Sequence, residues 1–487
     1  MKTLVGPGNT KVIGYHYDRA RVRAGIVHIG VGNFHRAHEE YYTNELLADP
    51  AQHAWGICGV ALLPGDEYLY QALKQQEGLY TLTVCGRDGK NKAYEIGSLL
   101  NLIWGMENPQ AVMAAIADPV TRIITLTITE GGYNIDKSSG AFIFDNKDIR
   151  HDLEKPEQPG TVFGFVAAGL RQRMKAGHGP ITILSCDNLQ HNGDTARRAF
   201  TSFIAAQDRE LSDWVNTQVT FPNSMVDRIT PAVTPEDVAR LNRDNGVEDQ
   251  APVYCEDFIQ WVIEDNFIAG RPAWENVGVE FTDDVSAYEN MKLSLLNASH
   301  SLLSYPAFLA GYRKVDDAMQ DARFVRYLEQ FMNVDMAPYV PAPGHTDLAL
   351  YKRTLIERFG NRSVSDQLSR LCFDGASKIP VYIMPNLVKM IRDRADLTRM
   401  AFFVSAYRHY LKYRCDDHGV SFEINDPWLT TEDQIRIGEE DPLVFLSLSP
   451  FQSTDLSADS RFTRLYLEMV DAIKEEGILN VLDHRLK

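Results

Sequence analysis

The first half of the chain alternates short apolar runs, rich in β-branched residues, with stretches whose apolar positions recur every three or four residues. Buried parallel strands joined by crossover helices produce this pattern. It predicts strands over residues 25–29, 55–63, 122–129 and 180–185. It predicts helices over residues 37–47, 109–117, 164–176 and 195–206. The expected fold of this half is a Rossmann-like, doubly wound α/β domain.

Beyond residue 286 the helical period dominates the pattern of apolar positions. The predicted helices there cover residues 292–311, 322–331, 347–359, 363–372, 387–394 and 397–413. The change of period, after the polar stretch at 282–284, indicates a domain boundary. We therefore expect a dinucleotide-binding Rossmann-like domain over residues 1–285 and a mostly α-helical substrate and catalytic domain over residues 286–487.

Composition and charge narrow the function classes. The 487 residues carry a formal charge of −17, which disfavours binding to nucleic acid or to an anionic membrane surface. The segment Met1–Asn9 lacks a basic start followed by an apolar stretch, and no apolar run reaches about 18 residues. The six cysteines show no paired spacing. These features predict a cytoplasmic protein.

A glycine turn follows the first predicted strand. Gly30 and Gly32 would permit a tight turn and the close approach of a pyrophosphate, with a helix beginning near Arg36. His35 stands where the usual dinucleotide fingerprint has its third glycine. A strand-turn-helix with purely structural glycines therefore remains an alternative at this point.

The loop after the second predicted strand favours NAD over NADP. It carries Asp66 and Glu67, and no lysine or arginine lies between Ala61 and Ala72. An acid there would repel the 2′-phosphate of NADP. Asp66 lies further from Gly32 than is usual in this fold. Ordinary solvated loop charges remain the alternative interpretation.

Four polar side chains lie on an otherwise apolar helical pattern. At about 100° per residue, Glu289, Lys292, Asn297 and His300 fall within an arc of roughly 140°. A buried lysine has a lowered pKa and can act as a base near neutral pH. The alternative is a solvated Lys292–Glu289 pair, with Asn297 and His300 satisfying each other.

The sequence around Lys292, KLSLLNASHS, resembles the signature of the long-chain polyol-specific dehydrogenases and reductases, the mannitol dehydrogenase family. Five further segments resemble the same family in order along the chain: IVHIGVGNFHRAH at 26–38, TLTITEGGYNID at 125–136, SCDNLQHNG at 185–193, FPNSMVDRITP at 221–231 and WVIEDNFIAGRPAW at 261–274.

The resemblance implies an N-terminal NAD domain, a helical C-terminal domain and a substrate bound between them. It implies that Lys292 is the general base, that Asn188 and Asn297 hold the developing alkoxide, and that His300 hydrogen-bonds the reacting hydroxyl. It also implies substrate binding by Asp227, Arg370 and Lys378 and a proton path through Glu289. Together with the glycine turn and the acidic loop, we expect cofactor binding by Gly30, Gly32, Asn33, Phe34 and Asp66.

The expected reaction is NAD-dependent oxidation of a sugar alcohol, D-mannitol to D-fructose or a close polyol, without a metal. No spacing of cysteine, histidine and carboxylate residues indicates a zinc site. Uronate reductases of the same family usually carry lysine where Gly131 stands, which favours a neutral polyol, although Arg370 and Lys378 keep a sugar acid open. A non-enzymatic NAD-binding regulator is the third alternative.

The expected partner is a small polyol or ketose, and the expected state is a monomer or weak oligomer.

Overall fold

The computed structural model describes residues 3–6, 8–136 and 139–486. Three residues of the N-terminal segment considered above, Met1, Lys2 and Pro7, lie outside the described residues. The chain divides into two compact units, residues 1–286 and 287–487. Each unit is described by itself below.

Among the described residues, the strands all lie in the first unit. They are β1 (Val12–Ile13), β2 (Ala24–Ile29), β3 (Gly56–Ala61), β4 (Tyr80–Cys85), β5 (Asn91–Ile96), β6 (Leu99–Trp104), β7 (Ile123–Leu126), β8 (Ile181–Ser185), β9 (Val219–Thr220), β10 (Ser224–Asp227), β11 (Val253–Glu256), β12 (Gln260–Glu264) and β13 (Glu280–Thr282).

The helices of the first unit are α1 (Asn33–Ala37), α2 (Glu39–Leu46), α3 (Glu67–Gln75), α4 (Pro109–Ala117), α5 (Lys147–Glu154), α6 (Val162–Lys175), α7 (Asn192–Gln207), α8 (Arg209–Gln218) and α9 (Pro235–Asn245).

The main sheet has six parallel strands in the order β6-β3-β2-β7-β8-β9. This is the strand order of the Rossmann fold, so the predicted fold class of the first half is confirmed. The central strands are apolar on both faces because α4, α6 and α7 cover one side and a second apolar cluster covers the other. Helix crossovers account for the continuous apolar runs in the sequence.

Two smaller sheets complete the first unit and were not predicted. One has the order β1-β5-β4-β11, and the other has the order β10-β12-β13. The predicted helix over residues 37–47 is also wrong in detail. The helix begins at Asn33, not near Arg36, and it breaks at His38, where the backbone leaves the helical region before α2 starts.

The second unit is helical, as predicted. After α10 (Ser286–Met291), a π-helical segment occupies Lys292–Asn297. The remaining α-helices are α11 (Ala298–Leu309), α12 (Val315–Ala318), α13 (Ala322–Gln330), α14 (Leu348–Phe359), α15 (Leu368–Cys372), α16 (Gly375–Tyr382), α17 (Met384–Arg392), α18 (Thr398–Tyr413), α19 (Thr431–Gly438), α20 (Ser460–Glu476) and α21 (Ile478–His484). A second π-helical segment lies at Phe331–Asp335.

The predicted helix over residues 363–372 is largely wrong. Its first half is irregular because the Asn361 side chain accepts from the amide of Ser363 and because Ser365 has a φ of +48°. The helix α15 therefore begins at Leu368. Among the described residues, no helix is both long enough and apolar enough to cross a membrane.

Candidate active site

In the first unit, several of the predicted residues follow the carboxyl ends of the main sheet's strands. Gly30 follows β2, Asp66 lies in the loop after β3, and Asn188 follows β8. The strand order reverses between β2 and β7. In open α/β sheets, ligands bind at this edge and at this reversal. The fold therefore gathers these residues where a dinucleotide would bind.

The two glycines of the turn differ in what the backbone requires of them. Gly30 has a φ of +102°, and a Cβ there would lie 2.1 Å from the carbonyl oxygen of Thr127. The Thr127 hydroxyl also donates to the carbonyl of Gly30 over 2.7 Å. Gly32 has an extended φ of −135°, and the nearest atom to its Cβ would be 3.7 Å away. The turn needs Gly30, whereas the space beside Gly32 is open to a ligand.

The residues that follow the turn are held by neighbouring segments. The Asn33 side-chain oxygen accepts from the Arg36 guanidinium over 2.7 Å, and the Phe34 ring stacks on His38 with centroids 4.9 Å apart. Asp66 accepts a hydrogen bond from the amide of Leu63 over 3.0 Å. That bond closes a 3₁₀ turn at Pro64–Asp66, in the loop that follows β3.

Asn188 is exposed, and its chain neighbour Asp187 is buried. The Asp187 carboxylate accepts from the amides of Ile128 and Thr129, at 3.1 and 2.8 Å, and from the Tyr133 hydroxyl at 2.7 Å. Thr129 has a φ of +66°, a conformation that costs a non-glycine residue energy. Asp187 therefore ties the loop after β7 to the loop that presents Asn188. Asp227 ends β10 and is 4% exposed.

A buried polar cluster that was not predicted from the sequence lies beneath the glycine turn. Among the described residues, His28, His35 and Glu39 form a group whose potential metal-ligating atoms lie within 4.8 Å of one another. The two imidazoles stack with centroids 3.3 Å apart and planes 8° apart. The nitrogen lone pairs of parallel rings do not converge on one ion. The hydroxyls of Thr125 and Thr127 also lie 2.8 and 2.9 Å from the nitrogens of His28, so the geometry favours hydrogen bonding over coordination.

In the second unit, the segment around Lys292 departs from the α-helix assumed in the sequence analysis. The π-helical turn Lys292–Asn297 takes about 4.4 residues per turn. It reduces the angle between Lys292 and Asn297 from roughly 140° to about 50°. His300 lies three α-helical residues beyond Asn297. Lys292, Asn297 and His300 therefore share a narrower face than an α-helix would give them.

A chain of hydrogen bonds fixes the π-turn. The Ser294 hydroxyl donates to the Asn290 side chain over 3.1 Å and accepts from the Asn386 amide over 2.8 Å. Asn386, on α17, is 2% exposed, and its oxygen accepts from Lys389 over 3.3 Å. These contacts stabilise a turn that is rare in proteins and frequent at functional sites.

Two side chains on this face are buried, and those of Asn297 and His300 are half-buried. Lys292 is 6% exposed and Glu289 is 4% exposed. The side-chain oxygen of Asn297 is buried and accepts no hydrogen bond from the described residues. The His300 ring stacks on Phe359 with centroids 4.2 Å apart. Burial lowers the pKa of His300 to about 3, with Asp366 opposing the shift and Arg370 adding to it. The ring is therefore neutral near pH 7 and can both donate and accept.

Arg370 and Lys378 each have a carboxylate partner four residues earlier. The Arg370 Nε donates to Asp366 Oδ1 over 2.8 Å, and its Nη2 binds Asp366 Oδ2. The Lys378 ammonium lies 2.6 Å from Asp374 Oδ1 and donates to the carbonyls of Phe373 and Leu371, at 3.1 and 3.4 Å. Lys378 therefore already has an ion-pair partner and two backbone hydrogen bonds.

Comparison with known proteins assigns the family. Residues 24–276 match the mannitol dehydrogenase Rossmann domain, and residues 284–474 match the mannitol dehydrogenase C-terminal domain. The chain belongs to the mannitol dehydrogenase family. This membership confirms the resemblance inferred from the sequence motifs, and it makes the protein an oxidoreductase of the polyol dehydrogenase class.

Relatives within the mannitol dehydrogenase family span several activities. The chain is 40% identical to a polyol:NADP oxidoreductase of Gluconobacter oxydans (strain 621H), with 95% of each chain covered. It is 40% identical to a mannitol 2-dehydrogenase of Aspergillus fumigatus, with 96% of this chain and 94% of the relative covered.

Two solved structures share the whole fold. The Pseudomonas fluorescens mannitol 2-dehydrogenase ternary complex with NAD and D-mannitol is 41% identical, with a TM-score of 0.87 and coverage of 98% and 97%. A substrate-free D-sorbitol dehydrogenase is 38% identical, with a TM-score of 0.89 and coverage of 96% and 97%. The family is thus fixed, whereas the relatives differ in the polyol and in the cofactor that their names state.

Three carboxylates of this mannitol dehydrogenase family member escaped the sequence analysis. Asp187 lies inside the SCDN segment, directly before Asn188. Asp366 and Asp374 precede Arg370 and Lys378 by four residues, the spacing at which helical side chains meet. That spacing was a signal available in the sequence.

Proposed function

We propose that the protein oxidises D-mannitol, or a closely related hexitol or pentitol, to the corresponding ketose with NAD as the cofactor. The observation that carries this proposal is the buried lysine in the π-turn, with an amide and a neutral imidazole on the same face. Oxidation of a secondary alcohol needs a base for its proton and hydrogen-bond donors for the negative charge that develops on its oxygen.

In this proposal, Lys292 accepts the hydroxyl proton. The amides of Asn188 and Asn297 donate to the developing alkoxide, and each such donor contributes up to a few kcal/mol to the transition state. His300 hydrogen-bonds the reacting hydroxyl, and Glu289 passes the proton onward to solvent. Asp227, Arg370 and Lys378 bind the other hydroxyls of the polyol.

The residues of the first unit fit a dinucleotide. NAD, when bound, supplies the acceptor for the hydride. The Gly30 turn and the open space beside Gly32 suit a pyrophosphate, with Asn33 and Phe34 following it. Asp66, fixed by the Leu63 amide, is expected to bind the adenosine ribose and to repel a 2′-phosphate. The Pseudomonas fluorescens relative forms its ternary complex with NAD, whereas the Gluconobacter relative is named for NADP, so cofactor choice needs a direct test.

The cellular setting is part of the proposal. All six cysteines are free thiols in the structure, and five of them are buried. This usage supports a reducing compartment, and we place the enzyme in the cytoplasm. We propose that it acts on a small polyol or ketose as a monomer or weak oligomer, without nucleic acid or a membrane as a partner.

The test is a panel of substrates followed through NADH absorbance at 340 nm. Mannitol, sorbitol, arabinitol and mannonate are each supplied with NAD and with NADP. The proposal expects turnover of a neutral polyol with NAD to exceed every other combination. Preferred turnover of mannonate would support the uronate reductase alternative, and absence of turnover would support a non-enzymatic role.

A further inference from the structure

We propose that Asp366 and Asp374 are specificity determinants that restrict the enzyme to neutral polyols by neutralising the two cations at the substrate site. The inference rests on the proposed function, which places Arg370 and Lys378 at the substrate. It adds two residues to the site and a reason why a cation-containing site accepts an uncharged substrate.

Asp366 and Arg370 form a bidentate ion pair. Two parallel contacts join the guanidinium to the carboxylate, the geometry in which arginine binds carboxylates most strongly. The Asp366 side chain is 7% exposed and the Arg370 side chain is 55% exposed. The Asp366 carboxylate is therefore buried, so water does not compete with Arg370 for it. Although burial opposes it, the guanidinium lowers the pKa of Asp366, which keeps the carboxylate charged at neutral pH.

The Lys378 ammonium is neutralised by an ion pair. It lies 2.6 Å from a carboxylate oxygen of Asp374 and donates hydrogen bonds to the carbonyls of Phe373 and Leu371. Asp374 holds a left-handed φ of +60° directly before α16, four residues before Lys378. A substrate carboxylate would have to displace Asp374 to gain this cation.

The pairing of both cations then favours neutral polyols over sugar acids. A carboxylate must leave water, and it recovers that cost only from an uncompensated cation. Here each cation already has its own carboxylate. A hydroxyl group needs only a donor or an acceptor, and a guanidinium that binds Asp366 through Nε and Nη2 still has further N–H groups. The paired cations therefore suit a polyol and disfavour a sugar acid.

Mannitol and mannonate provide the test because they differ in one terminal group, a CH2OH in mannitol and a carboxylate in mannonate. The variants Asp366→Asn and Asp374→Asn each leave one cation uncompensated. Asparagine also tolerates the left-handed backbone of residue 374. The ratio of kcat/KM for mannonate to that for mannitol is expected to rise ten- to hundredfold in each variant, the usual value of a charge-assisted hydrogen bond. In the variants, the KM for mannonate should also rise with ionic strength.

Asp265→Asn is the matched control. Arg271 binds Asp265 through the same Nε and Nη2 fork, at 2.8 and 3.0 Å, in the first unit. This substitution changes the net charge equally and should leave the ratio unchanged. If wild-type enzyme oxidises mannitol but neither site variant changes the ratio, the inference is overturned and the proposed function stands. If the wild type oxidises no polyol, both are overturned. Should Asp366→Asn fail to fold, Asp374→Asn decides the outcome.

Discussion

Replacing Gly30 by alanine should destabilise the first unit, whereas the same change at Gly32 should leave its stability intact and weaken dinucleotide binding. The two glycines lie two residues apart in one turn. The pair of substitutions therefore separates what the fold needs from what a ligand needs.

The expected loss of stability follows from the backbone conformation of Gly30. A φ of +102° costs a residue with a Cβ about 1–3 kcal/mol. The added Cβ would lie 2.1 Å from the Thr127 carbonyl oxygen, so the end of β7 must move. That movement strains the bond from the Thr127 amide to Ile29, 3.0 Å long, which contributes about 1 kcal/mol. The expected loss for Gly30→Ala is about 2–4 kcal/mol in the free energy of unfolding, and for Gly32→Ala it is under about 0.5 kcal/mol.

Tryptophan fluorescence during urea denaturation measures this loss where it occurs, because five of the six tryptophans lie in residues 1–286. NADH binding is measured by titration of each folded variant. Gly32→Ala should bind NADH at least tenfold more weakly, since its methyl group occupies the space next to the turn. Equal destabilisation by both substitutions, or unchanged NADH affinity in Gly32→Ala, would refute this account of the turn.

Three further predictions concern the cofactor, a buried acid and the metal. Asp66→Ala should narrow the preference for NAD over NADP in kcat/KM, and an unchanged ratio would transfer that role to Glu67. Burial raises the pKa of Glu40 to about 8, so the folded state holds a proton that the unfolded chain releases above its ordinary value near 4.5. The contribution of the protonated Glu40 to the free energy of unfolding is therefore complete at low pH, and it is lost as the pH rises toward 8. Glu40→Gln should gain stability relative to wild type between pH 5 and 8, by up to about 1.4 kcal/mol per pH unit, and parallel stability curves would contradict this. Turnover should survive exhaustive EDTA treatment, and loss of activity restored by zinc would show that a metal takes part.

The main sheet was predictable because its strands are buried on both faces and appear as continuous apolar runs. The smaller sheets were not, because their short strands pair across long separations. For example, Val253 of β11 pairs with Leu82 of β4. The periodicity of apolar residues in one segment does not reveal such a pairing, because these strands are stabilised by contacts with residues distant in sequence.

The candidate site was also predictable only in part. Lys292, Asn297 and His300 were predicted to share one helix face, within an arc of roughly 140°, but the π-turn that narrows this face was not predicted. The π-turn depends on Ser294 and Asn386, which are 92 residues apart in sequence. The stacked pair His28 and His35 likewise depends on the approach of a strand and a helix, which the sequence does not show.

The proposed general base is Lys292, and the variant Lys292→Ala removes it. Turnover of the preferred polyol should fall by about two to four powers of ten, the usual contribution of a positioned base. NADH affinity should change little. In wild type, oxidation should fall at low pH, because a protonated lysine cannot accept the hydroxyl proton.

The decisive measurement is the pH–rate profile of Lys292→Ala with and without an added primary amine. We expect a slow reaction that lacks the wild-type pH dependence and that is accelerated by a small amine, which fills the space left by the side chain. Near-native turnover with the wild-type pH profile would contradict it and would make Lys292 a structural residue.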